Sequence, residues 1–198
     1  MHVIRWATIC AAWAMLSMSP AAAQDHASRA DHPTPATSPY AGMETRPVKA
    51  LSEQQIADLK AGRGMGLALA AELNGYPGPV HVLDLADALA LSAEQRAATK
   101  ALVDEMKAET IPIGARILAD ETTLDRLFSE RRVTTASLDA TTARLGAAEG
   151  ELRAAHLRYH LRMAALLSPS QVARYRELRG YAAMPDHGGH DGHHHPAD

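Results

Sequence analysis

The chain has 198 residues and a formal net charge of −3; hydrophobic residues make up 46% of it and aromatics only 4%. That length bounds it to one domain plus tails, and the charge supplies no global field for nucleic acid or anionic membrane. Alanine and leucine carry most of the apolar content, which suits packed helices better than a sheet of β-branched and aromatic residues.

Residues 1–23 read as a cleavable export signal. Arg5 precedes the apolar run WATICAAWAMLSM, and Ala21 and Ala23 fit the small-residue cleavage pattern. The run is too short for a stable span. Cys10 is the sole cysteine and leaves with the signal, so the mature chain has no disulfide or thiolate site. These features predict a periplasmic protein. Residues 24–50 form an expected disordered linker, with Pro33, Pro35, Pro39 and Pro47 and few large apolar residues.

The folded part is expected over residues 51–181. A Leu-Ser-x-x-Gln phrase occurs three times, at Leu51–Gln55, Leu91–Gln95 and Leu167–Gln171. Serine is a good N-cap, and glutamine three residues later can return a bond to the cap's own N–H, completing a capping box. Each copy therefore predicts a helix start; the third also has Pro169 at the first helical position, where proline is favoured.

After the first copy, a helix weakened by Gly62, Gly64 and Gly66 is predicted. The turn YPGP follows, and then a short helix over VHVLDLADALA. From Leu91 a long amphipathic helix runs to about Arg131, with Leu102, Met106, Ile113, Ile117, Leu124 and Phe128 on one stripe. Pro112 should bend it. Thr134 can cap the next helix, in which Leu138, Leu145, Leu152, Tyr159 and Leu166 recur every seventh residue as a packing seam. The last helix runs from Pro169 to about Arg179 and stops before Gly180. The expectation is an all-α protein, a bent antiparallel hairpin of four to five helices. Residues 182–198 are a second disordered, histidine-rich tail.

The export signal, the helical mature chain and the motif residues Leu91, Ser92, Gln95, Leu167, Ser168 and Gln171 resemble the Spy/CpxP group, the LTxxQ-motif family of periplasmic proteins. One motif opens the long helix and the other the final short one. The likeness covers residues 91–181 well and 51–90 only loosely, and serine stands where threonine is typical. The wider group includes the ZraP and CnrX heavy-metal-responsive types. The resemblance implies a small bent hairpin, often a homodimer, acting as an ATP-independent chaperone, an envelope-stress adaptor or a metal sensor.

Three constellations could carry function. The first is basic: between Arg153 and Tyr181 six arginines face Glu177 alone. Guanidiniums beside leucine and tyrosine can hold unfolded clients through charge and apolar contact. Arg116, Arg126, Arg153, Arg158, Arg162 and Arg174 are the client-binding candidates, and a solvated amphipathic face is the plainer explanation. The second is His156, His160 and Met163, which project from one helix face. Two imidazoles so spaced can chelate Zn²⁺, Cu²⁺ or Ni²⁺, and a thioether favours Cu⁺; equally, they can be core-edge residues. The third is the tail, where His187, His190, His193, His194 and His195 would bind transition metals without imposed geometry. Its glycine and aspartate interruptions argue against a purification tag.

No cofactor is required by any of these readings, and no enzyme is expected. Gly62–Gly66 resembles part of a nucleotide loop but follows no strand, and no nucleophile or metalloprotease motif occurs. The leading expectation is a chaperone-like or stress-adaptor protein that binds unfolded or envelope proteins on the basic face. The alternative is a metal sensor or buffer built on His156, His160 and the tail.

Overall fold

The structure, a computed structural model, describes residues 37–181. The expected export signal, most of the linker and the histidine-rich tail lie outside them. From Tyr40 onward the described residues form one compact unit, which holds every described helix. Within the described residues the fold is all-α, without strands. A short 3₁₀ turn, Met43–Thr45, precedes α1 (Glu53–Ala61), α2 (Leu69–Glu72), α3 (Pro79–Asp84), α4 (Ala93–Ser129), α5 (Thr135–Leu166) and α6 (Pro169–Leu178). No described helix is long and apolar enough to cross a membrane.

All three Leu-Ser-x-x-Gln phrases open helices with complete capping boxes. Ser52, Ser92 and Ser168 each accept a bond from the backbone N–H of the glutamine three residues on, at 3.1–3.2 Å. Gln55, Gln95 and Gln171 each accept the N–H of their own cap residue, at 2.9–3.1 Å. Thr134 caps α5 in the same way, with Ser137 as its reciprocal partner.

Two of the three glutamines do more. The amides of Gln95 and Gln171 face each other, and each Nε2 donates to the other's Oε1 at 2.9 Å. The remaining donors reach backbone carbonyls, Gln95 to Leu166 at 3.0 Å and Gln171 to Leu89 at 3.3 Å. Both donors of each amide are used, and each carbonyl accepts twice. The start of α4, the end of α5 and the start of α6 are thereby tied at one point. Gln55 takes no part.

The hairpin of α4 and α5 is antiparallel, as its ion pairs record. Glu105 meets Arg162, Glu109 meets Arg158, Arg116 meets Glu151 and Asp120 meets Arg144, so residue numbers fall on α5 as they rise on α4. The helix runs through Pro112 without interruption. Val103 and Gly114 join the predicted stripe on its buried face, whereas Phe128, expected on that stripe, is 54% exposed. It lies in the last turn of α4, beyond the buried part of the helix, which ends at Ile117.

Two apolar clusters form the core. One joins α3 and its following turns to α4, α5 and α6 through Val82, Leu89, Leu102, Tyr159, Met163 and Tyr175. The other joins α1 to the middle of the hairpin through Leu59, Ile113, Ile117, Leu145 and Leu152. The α1 backbone lies directly on α4, because a Cβ at Gly114 would stand 2.5 Å from the Leu59 carbonyl oxygen. The glycines after α1 end that helix rather than weaken it: Gly62 takes the left-handed C-cap conformation, φ 65°. The linker's end packs as well, since Val48 is buried and Lys49 pairs with Asp125 at 3.0 Å. One buried valine and one ion pair mark as packed a stretch that composition alone marks as unpacked.

Candidate functional site

Along α5 the hairpin seam buries Leu145, Ala148, Leu152 and Ala155. From there the buried band widens to include His156 and His160, which stand off the seam. The reason is a second cover. After Gly62 the chain turns, forms α2, and at Tyr76–Pro79 turns again over α5. It encloses a cleft of about 550 Å³ between residues 61–81, α4, α5 and the end of α6.

His160 is 9% exposed on the wall of this cleft. Its Nδ1 lies 2.7 Å from the Tyr76 carbonyl oxygen. A carbonyl only accepts, so Nδ1 carries a proton and donates it here. Nε2 has no hydrogen-bond partner in the protein. Gly78 leaves room for it, since a Cβ there would stand 3.1 Å from Nε2 and 2.9 Å from Cε1. His156, one turn earlier, is 3% exposed and makes no hydrogen bond through either nitrogen; its Nε2 is fully buried.

Burial first, and then the neighbouring His160, push the His156 imidazole below its ordinary value; Glu109 opposes this. The ring therefore stays neutral near pH 7, as a metal ligand must. The same shift makes stability pH-dependent. Between the depressed folded value and the ordinary one of 6.5, the unfolded chain holds a proton that the folded chain refuses. Stability rises with pH through that window and is lost as pH falls through it. Urea unfolding of wild type and His156→Leu should show wild type losing more stability between about pH 7.5 and pH 5.5. Equal losses would mean that His156 titrates as in the unfolded chain.

Beside the histidines lies a buried carboxylate. Glu72, 6% exposed, accepts Tyr175 Oη–H on Oε1 at 2.5 Å and the Gly78 N–H on Oε2 at 3.1 Å. Arg179 Nε is 3.5 Å from Oε1, and His160 Nδ1 is 3.7 Å from Oε2. Burial and the adjacent carboxylate drive the Tyr175 phenol far above its normal range. The result is a clasp in which α2, the Tyr76–Pro79 turn and α6 hold the covering segment onto α5. Reading the sequence missed Glu72, Tyr76, Gly78 and Tyr175, and counted Arg179 only as one of six arginines of a basic stretch. The YPGP turn was its one visible signal.

The other predicted residues fall elsewhere. Met163 is fully buried in the first core cluster, not on the cleft, so its thioether belongs with apolar neighbours. Five of the six client-binding arginines are spent on carboxylates. Arg116, Arg158 and Arg162 pair with Glu151, Glu109 and Glu105 across the hairpin. Arg126 and Arg174 pair with Glu130 and Glu177 on or beside their own helices. Arg153 alone has no such partner among the described residues. On α5, Arg158 and Arg162 are therefore answered by acids of α4, while their side chains stay about half exposed. His187, His190, His193, His194 and His195 lie outside the described residues.

As a metal site, the cleft fits in part. It offers two imidazoles one turn apart, one of them oriented by a backbone carbonyl as ligating histidines commonly are. Among the described residues no group of three or more His, Cys, Asp or Glu is placed to hold an ion.

The fold and cleft define a small helical-hairpin protein with a buried histidine pair. Residues 65–174, more than half of the chain, match the family described as heavy-metal resistance, and the chain belongs to that family. No curated relative and no solved structure matches it.

Proposed function

We propose that this is a metal-responsive protein of the bacterial envelope, which binds a borderline divalent ion (Zn²⁺, Cu²⁺ or Ni²⁺) through His156 and His160. It would act as a sensor or buffer in heavy-metal resistance, within the Spy/CpxP-like group. The observation that carries this reading is the histidine pair itself. Both residues are buried on the wall of a cleft, neither Nε2 has a protein partner, and the His160 ring is oriented by its Nδ1–H bond to the Tyr76 carbonyl. An imidazole buried without hydrogen bonds is costly unless something completes it. When bound, the metal would supply that partner and a link between α5 and whatever else joins its coordination shell. The tail histidines would also collect metal.

Family membership supports the same reading, and the ion pairs of Arg116, Arg158 and Arg162 weigh against client holding. That second reading retains one support, an exposed apolar strip of Met65, Leu69, Leu73, Tyr76 and Val80 on the covering segment.

A ligand that binds only the folded state stabilises it, by about 2.7 kcal/mol at one hundred times its Kd. With the five tail histidines replaced by alanine, Zn²⁺ or Ni²⁺ should still raise Tm, and His156→Ala with His160→Ala should abolish the rise. No shift with any of these metals, together with suppression of client aggregation, would replace this reading with the chaperone one.

A further inference from the structure

Apart from its two imidazoles, the cleft carries the electrostatics of an anion site. Arg63, Lys107 and Arg179 stand on its wall with a single carboxylate, Glu72, on a chain whose formal net charge is −3. That carboxylate is already engaged by Tyr175 and Gly78, and Arg179 Nε, 3.5 Å away, is buried without a hydrogen bond. Arg63 pairs with Asp58 at 3.0 Å, and Lys107 feels Asp104, which itself pairs with Lys100 at 2.7 Å. Neither aspartate lines the cleft. Arg63 and Lys107 lie close together where α1 ends on α4, since a Cβ at Gly62 would stand 3.6 Å from Lys107 Cα. The wall beside them adds neutral donors: the backbone N–H groups of Gly64, Met65 and Gly66 have no acceptor within the protein.

Much of the remaining wall is apolar, with Met65, Leu69, Val80 and Met106, and the space of about 550 Å³ falls in the range of small-molecule sites. An inorganic anion would leave that wall wet and most of the space unused; a neutral apolar molecule would leave the cations unanswered. We propose that the cleft binds a small organic anion, a carboxylate on an apolar body. Arg63 and Lys107, with the free N–H groups after Arg63, hold the carboxylate. The apolar body lies along Leu69, Val80 and Met106, and Arg179 adds to the positive field. This inference stands apart from the metal reading, because it needs neither imidazole as a ligand.

The test is isothermal titration calorimetry of the full chain with octanoate, EDTA being present throughout to remove metal. Octanoate should bind in a one-to-one ratio. Octanol lacks the charge and acetate the apolar body, and each should bind about tenfold more weakly or worse. Lys107→Glu should weaken octanoate about tenfold or more, and Lys107→Gln less. Leu69→Glu, on the wall at a position 53% exposed and so harmless to the core, should weaken it in the same way. Leu73→Glu, equally exposed but off the wall, should leave binding unchanged. The proposal is overturned if octanoate does not bind, if octanol binds as well as octanoate, or if Leu73→Glu is as damaging as Lys107→Glu. None of these results touches the metal reading, which EDTA takes out of the experiment.

Discussion

Gly114→Ala should destabilise the protein by about 3 kcal/mol, although the same change in an open helix is favourable. Alanine is the better helix former by roughly 1 kcal/mol, and Gly114 sits in the middle of the 37-residue α4. Space decides the sign. A Cβ at Gly114 would lie 2.5 Å from the Leu59 carbonyl oxygen and 3.1 Å from its carbon, both backbone atoms of α1. Backbone cannot swing aside as a side-chain tip can. α1 must back away, taking buried Leu59 out of the cluster it shares with Ile113, Ile117 and Leu145. Overpacking of this kind typically costs about 1–3 kcal/mol, and loss of the Leu59 contacts adds to it. The control lies on α5, where Gly146 and Gly150 have nothing within 4 Å of a built Cβ. Alanine at either should stabilise by roughly 0.5–1 kcal/mol. Denaturant unfolding of the three variants checks the sign; stabilisation by Gly114→Ala would show that α1 does not rest on α4 at this point.

Gln95→Glu should cost about 2–3 kcal/mol at neutral pH, and Gln55→Glu close to nothing. Either acid can still accept the N–H of its cap serine, so local capping survives. The difference arises 76 residues away, where Gln95 Nε2 donates to Gln171 Oε1. A carboxylate has no donor. It would remove the bonds that Gln95 donates to the Leu166 carbonyl and to Gln171 Oε1, and set negative charge against both oxygens. Gln171→Glu should behave in the same way by symmetry of the pair. Urea midpoints for the three variants decide this; equal effects at Gln55 and Gln95 would mean that the facing amides contribute nothing.

These two sites show where sequence was sufficient. A capping box is local, written within five residues, so all three helix starts could be read directly. The long stripe of α4 and the seven-residue seam of α5 were equally legible, because helical period needs no knowledge of partners. That the second and third motifs share an amide pair was not legible, since nothing local separates Gln55 from Gln95. The ion pairs of the arginines were not legible for a related reason. Charge was counted along one helix, whereas Glu105 and Glu109 answer Arg162 and Arg158 from the other strand of the hairpin. The histidine pair was seen, but its burial was not. His156 and His160 are off the hairpin seam and become interior only because the segment after Gly62 folds back, held by Glu72 on Tyr175 and Gly78. Met163, three residues beyond His160, is turned into the core by the same helical geometry that keeps the two imidazoles on the cleft.

The central claim is that a metal ion is held by the two imidazoles of α5. It is tested most directly by the K-edge X-ray absorption spectrum of the Ni²⁺-loaded protein with His187, His190, His193, His194 and His195 replaced by alanine. The outer-shell scattering should require two imidazoles, falling to one in His156→Gln and in His160→Gln. A spectrum with no imidazole scattering, or one that neither substitution changes, would contradict the account.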